Sequence, residues 1–142
     1  MENKINIRNY SHADYEQVKR ILVDGGLFYQ PLDSSQRLEE KILRDPSSIL
    51  VAEESDRVVG TVSLMEDSRM AFIFRLAVNP ENQNRGLGKA LMSEAEKELF
   101  RRGHREINIL VEEDNIGLQE YYEKQDYGEG NLYRWRTKER KG

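Results

Sequence analysis

The segment Gln83-Asn84-Arg85-Gly86-Leu87-Gly88-Lys89 places two glycines and two cations directly before an amphipathic stretch, Ala90 to Leu99. An apolar run, Ala71 to Val78, precedes it, and Asn79-Pro80 stops that run. A strand, a short polar loop and a helix in that order build an anion site. Glycine lets the backbone approach a ligand closely. The first amides of the following helix lack partners, and the helix dipole favours negative charge there. A phosphate-bearing ligand is the natural occupant. Spacing excludes two common kinds. A nucleotide P-loop needs four residues between its first glycine and a Gly-Lys-Ser/Thr ending. No glycine stands five positions before Gly88, and Ala90 occupies the hydroxyl position. A dinucleotide loop needs a third glycine three residues after the second, where this chain has Leu91.

The elements that must position this loop read as one domain, 1–142, with one core. Ile5-Asn6-Ile7-Arg8 alternates as a first strand, and Ser11 caps a helix running through Val23. Gly25-Gly26 stops that helix. Leu27 to Leu32 forms a loop with large side chains, among them Phe28 and Tyr29, which either plug the core or line a substrate pocket. Asp33 or Ser34 opens a second helix that Asp45-Pro46 ends. Ile49 to Ala52, Val58 to Leu64 and Met70 to Val78 are three strands joined by short turns, an antiparallel meander. Leu87, Leu91, Ala95 and Leu99 make a buried stripe on the helix after the loop. Glu106 to Val111 is a further strand, parallel to its predecessor through a right-handed crossover. A helix over Ile116 to Lys124 and a closing hairpin around Gly128-Glu129-Gly130 complete the chain. Arg134, Arg136, Lys138 and Arg140 alternate as a solvated edge.

Composition removes several function classes. The 22 Lys and Arg against 26 Asp and Glu give a net charge of −4, with no general attraction to nucleic acid or anionic membrane. The absence of cysteine excludes disulfides, thiolate nucleophiles and cysteine metal sites. His12 and His104 are too far apart in sequence to suggest a histidine metal cluster. No run approaches the ~20 apolar residues of a membrane span, and the N-terminus does not read as a signal peptide. A cytoplasmic protein, monomer or homodimer, is expected.

The pattern Gln-x-x-Gly-x-Gly after a strand ending Leu-Ala-Val-x-Pro resembles the acetyl-CoA-binding motif of the GCN5-related N-acetyltransferase (GNAT) superfamily. The element order also looks like that α/β fold over essentially the whole chain. It implies a central mixed, mostly antiparallel sheet of six or seven strands flanked by about four helices. The resemblance assigns the pantetheine arm and the acetyl carbonyl to main-chain groups of Leu76, Ala77 and Val78. It assigns the pyrophosphate to the segment Gln83, Asn84, Arg85, Gly86, Leu87, Gly88 and Lys89.

A second family signature, Asn followed seven residues later by Tyr and shortly by Gly-Phe, is similar to Asn115 through Tyr127. Asn115 and Tyr122 are close to two helical turns apart and share a face. The resemblance implies that Asn115 bonds the pantetheine and that Tyr122 protonates the departing thiolate. Asp126 and Tyr127 stand where the family has glycine and phenylalanine. The Glu that many relatives use as a base falls at Phe72, and no carboxylate lies between Ser68 and Val78. Glu66, Asp67, Glu112 and Glu113 are the possible replacements, the last two favoured because they end the strand beside the expected cleft. The reading is acetyl transfer from acetyl-CoA, without a metal, to a primary amine: a protein N-terminus, a lysine or a small amine. A non-catalytic module that binds acyl-CoA and reports it to a partner is the alternative.

Overall fold

A computed structural model describes residues 4–142. They divide into two compact units, residues up to 109 and residues 110–142. In the first unit, β1 (Ile5–Asn9), β2 (Ile49–Glu54), β3 (Arg57–Glu66) and β4 (Ala71–Val78) form an antiparallel sheet in that order. The β2–β3 turn is two residues, Ser55 and Asp56, with φ of 51° and 62°. That left-handed pair matches the twist of the flanking strands.

Four helices belong to this unit: α1 (Tyr15–Asp24), α2 (Gln30–Asp33), α3 (Ser35–Arg44) and α4 (Leu87–Arg101). A 3₁₀ turn over His12–Asp14 precedes α1, so the regular helix starts at Tyr15 and not directly after Ser11. Ser34 is the cap of α3, its Oγ accepting from the Arg37 amide at 3.2 Å. The segment expected to be a plain loop contains α2, because Pro31 sits in its first turn and Asp33 turns back to accept the Tyr29 amide at 2.9 Å.

Alternation along the strands assigns the two sheet faces. Ile49, Val51 and Ala77 cluster with Val18, Ile21 and Leu22 of α1 and Leu38 of α3. The other face takes α4, whose Leu87, Leu91, Met92, Ala95 and Leu99 are all buried. Gly60 permits that approach: a Cβ there would lie 2.9 Å from Leu91 Cδ1.

Among the described residues the sheet has four strands, fewer than the six or seven expected, and there are five α-helices, with α5 (Ile116–Glu123) in the second unit. Residues 106–111 do not form a strand. Only Asn108 pairs, in the expected parallel sense, with Phe72. Its amide donates to Ala71 O at 2.9 Å, and its carbonyl accepts from the Ile73 amide at 3.0 Å. Two residues further on, β4 carries a bulge, which re-aims its outer edge and stops the ladder. The closing hairpin is also absent: Leu132, Tyr133 and Trp135 are each at least 80% exposed. A hairpin with no third strand in its own unit is marginal in water.

Ionic pairs brace the first unit. Arg8 donates to both carboxylate oxygens of buried Asp14, at 2.8 and 3.0 Å, and to Glu53 at 2.8 Å. Burial pushes the Asp14 carboxyl up, but the Arg8 guanidinium and the Ser11 amide outweigh it and hold it below its ordinary 3.8. A carboxyl depressed on folding stabilises above its unfolded value and loses that contribution as pH falls through the folded one. Asp14→Asn should therefore lower stability by about 2 kcal/mol at pH 7. Urea unfolding should show the gap from wild type narrowing as the pH is taken below about 4. A gap that stays constant with pH would assign the loss to packing and not to charge.

Candidate functional site

The site begins at an irregularity in β4. Val62 of β3 faces two residues of β4, Arg75 and Leu76, because the register changes between Thr61–Ala77 and Ser63–Phe74. Arg75 takes φ 55°, a left-handed conformation unusual for a long side chain. Its guanidinium holds buried Asp33 of α2, with Nη2 to Oδ2 at 3.1 Å and Nε to Oδ1 at 3.2 Å. Beyond the bulge, the Asn79 amide donates to Val59 O at 2.8 Å. Alternation then turns the main chain of Ala77 and Asn79 toward β3 and that of Leu76 and Val78 to the open outer edge.

The loop after β4 is bound back onto that strand. Gln83 Nε2 donates to Val78 O at 3.2 Å. Asn84 and Gly86 take φ of 64° and 78°, the left-handed region. Gly86 is the N-cap of α4, and no side chain caps this helix. The Ala90 amide is bonded to Gly86 O at 3.0 Å, so the amides of Leu87, Gly88 and Lys89 are the unpaired first-turn donors. A Cβ on Gly86 would meet nothing within 4 Å, leaving open space beside those donors. Lys89 is exposed there. The Arg85 guanidinium is turned to Glu54 at the end of β2, with distances of 3.0 and 2.5 Å to the two carboxylate oxygens. The pairing holds the Glu54 carboxyl below its usual range and pushes Arg85 up. These donors, the open space and the local positive end of the helix fit a pyrophosphate.

The remaining candidates of the first unit divide by environment. Phe28 packs partly against the core under Lys19, whose Nζ lies 5.4 Å from the ring centre. Tyr29 is 43% exposed and begins α2. Phe72, at the position of the family's Glu, is half-buried and pairs with Met65 across the sheet. Glu66 Oε2 lies 2.5 Å from His104 Nε2. Asp67 accepts the Met70 and Arg69 amides and the Arg69 guanidinium, which together lower its carboxyl to about 2. A carboxylate of that strength is a poor base at neutral pH.

In the second unit, Asn115 is the N-cap of α5, its Oδ1 accepting from the Leu118 amide at 3.2 Å. Its Nδ2 is left to donate. The Glu112 and Glu113 side chains are exposed, while both their carbonyls accept from Gln119 Nε2, at 3.1 and 3.0 Å. Tyr122 packs edge-on against Tyr121 and Tyr127, with ring centres 5.2 and 5.8 Å away. Burial, and secondarily the neighbouring Tyr121, push its phenol up from 10.0. It stays protonated throughout the neutral range. Asp126, standing for the family's glycine, has φ 68° and so adopts the conformation that glycine takes most easily.

Sequence reasoning missed Arg75, Asp33 and Glu54. The one visible signal was Arg75 itself, a lone cation inside the apolar run Phe72 to Val78.

The sequence profile of the acetyltransferase (GNAT) family matches residues 15–127. An acetyltransferase of Yersinia enterocolitica is 36% identical over 121 residues, covering 85% of this chain and 86% of the relative. One of Sodalis glossinidius is 35% identical over 121 residues, with 85% of each chain covered. Among solved structures, the PaiA N-acetyltransferase of Thermoplasma acidophilum in complex with coenzyme A superposes with a TM-score of 0.72 at 24% identity, over 85% of this chain and 88% of that one. An aminoglycoside N-acetyltransferase in complex with CoA gives a TM-score of 0.77 at 15% identity over 97% of both. Those two likenesses speak for the fold. With the profile match and the relatives sharing more than a third of their residues, the chain belongs to the acetyltransferase (GNAT) family.

Proposed function

We propose that this protein transfers an acetyl group from acetyl-CoA to a primary amine by direct attack. The observation that carries the reading is the uncapped first turn of α4 under open space at Gly86, following the outward-facing main chain of Leu76 and Val78. In this reading the amides of Leu87, Gly88 and Lys89 hold the pyrophosphate. The Val78 amide donates to the oxyanion that develops on the acetyl carbonyl, a contact of a kind often worth several kcal/mol. Asn115 Nδ2 bonds the pantetheine arm, and Tyr122 gives its phenolic proton to the departing thiolate. A phenol kept neutral by burial is available as that acid over the whole working range.

Glu66 and Asp67 are committed to structural partners, and Phe72 occupies the family's base position. In this reading the amine is deprotonated by water or arrives partly neutral, and exposed Glu112 and Glu113 are the remaining carboxylates to which a base role would fall. The same absence favours the alternative, a module that binds acyl-CoA without turnover, and a thiol-release screen over amines, peptides and polyamines separates the two. Thiol release with any amine supports transfer. Tight CoA binding with no release across the panel supports the binding module.

Gly86→Ala places a methyl group where the ligand would lie and costs about 1–2 kcal/mol of left-handed strain. The folded variant should lose CoA affinity by at least tenfold in calorimetry, and unchanged affinity would remove the loop from the site. Tyr122→Phe should lower kcat on the order of 10²-fold with little change in CoA affinity. Tyr121→Phe is the control, and equal effects in the two would reject the assignment.

The pH profile follows from the same chemistry. A lysine-like acceptor has a pKa of about 10.4 and an α-amine about 7.7–8.0. Only the neutral amine attacks. With the first, kcat/KM should rise nearly tenfold per pH unit through pH 9, and with the second it should flatten near pH 8. Tyr122, raised above 10.0, should impose no falling limb below that value. A plateau near pH 7 that disappears in Glu112→Gln or Glu113→Gln would reveal a carboxylate base.

A further inference from the structure

Glu54 belongs to β2, two strands away from the loop that follows β4. Yet it is buried and points at that loop: it receives both terminal nitrogens of Arg85, at 3.0 and 2.5 Å, and Asn82 Nδ2 at 3.4 Å. A bidentate guanidinium–carboxylate pair fixes orientation as well as distance. Arg85 stands between Asn84 and Gly86, the two residues whose left-handed backbone aims the first turn of α4. Holding the Arg85 side chain on the β2 side therefore constrains the dihedrals on both sides of it. The same contact keeps the loop's nearest guanidinium on a protein carboxylate, away from a phosphate. The first-turn amides are left as the anion-binding groups.

We propose that Glu54 is a positioning residue for the cofactor loop, acting through Arg85 to hold the amides of Leu87, Gly88 and Lys89 in binding geometry. Asn82 is its secondary contact. The inference rests on the proposed reading of that loop as the acetyl-CoA site. It assigns Arg85 an indirect part: the residue sets the loop's shape and does not itself contact the cofactor.

The test is a double-mutant cycle in CoA affinity by calorimetry, with Glu54→Gln, Arg85→Gln and the two combined. Each single variant should weaken binding about tenfold, the size expected when one partner of a charge-assisted pair is removed. The double variant should be no weaker than either, because both substitutions break one contact. Glu54→Asp should restore part of the affinity. In turnover the loss should fall on KM for acetyl-CoA and leave kcat at saturation nearly unchanged. Asp14→Asn, destabilised elsewhere in the unit, should bind CoA as wild type does, which separates positioning from general loss of stability.

Glu54→Gln binding CoA as tightly as wild type, or more tightly, would overturn the proposal, and tighter binding would show a released Arg85 contacting phosphate directly. Additive losses in the double variant would overturn it as well. If Glu54→Gln fails to fold, Arg85→Gln, altered at the exposed end of the pair, still decides: unchanged affinity there refutes the linkage. Wild-type protein that binds no CoA would instead refute the reading of the loop, and this inference with it.

Discussion

A left-handed residue in the middle of a strand determines which main-chain groups of β4 face its outer edge. Arg75, at φ 55°, adds one residue to β4, and every peptide after it presents its groups in the shifted register. That conformation costs a non-glycine residue roughly 1–2 kcal/mol. The pair with buried Asp33 holds it, and Asp33 in turn accepts the Tyr29 amide and lends its carbonyl to the Tyr15 hydroxyl at 2.9 Å. The short helix after α1 is thereby tied to β4. The bulge also explains why the parallel pairing at Asn108 stops after one bridge.

The sequence is heavily charged, 34% Asp, Glu, Lys and Arg, and some of its ion pairs join elements distant along the chain. Arg8 links β1 to Asp14 and Glu53. Arg102 links the end of α4 to Asp45 and Glu98, at 2.7 Å each. Glu66 meets His104, and Glu54 meets Arg85. Carboxylates close to β4 and its loop are thus used to hold structure.

Much of this was legible in the sequence because local rules produced it. The order of strand, glycine loop and helix, the stripe Leu87, Leu91, Ala95 and Leu99, and a short hairpin connection within Glu53 to Arg57 follow from periodicity and turn chemistry. The elements that were overestimated depend on partners. Residues 106–111 alternate like a strand, but a strand requires a straight neighbouring edge, which the bulge at Arg75 removes. Leu132, Tyr133 and Trp135 have strand propensity but no third strand in their unit to join. What escaped the sequence entirely were side-chain pairings across more than thirty residues, such as Glu54 with Arg85 and Asp33 with Arg75. Nothing in local spacing encodes them. Asn115, singled out in the sequence by its spacing to Tyr122, caps α5, so the same side chain starts the helix that carries Tyr122.

The central claim is that main-chain groups on the outer edge of β4 and in the first turn of α4 form the cofactor site. Backbone amide NMR during a CoA titration tests it most directly, because it reads each peptide group separately. The account predicts that the largest shifts fall on Leu76, Val78 and Gly86 through Lys89, with the amides of β1 and β2 unchanged up to Glu53. Saturable binding that leaves Leu87, Gly88 and Lys89 unshifted and perturbs another surface would contradict it.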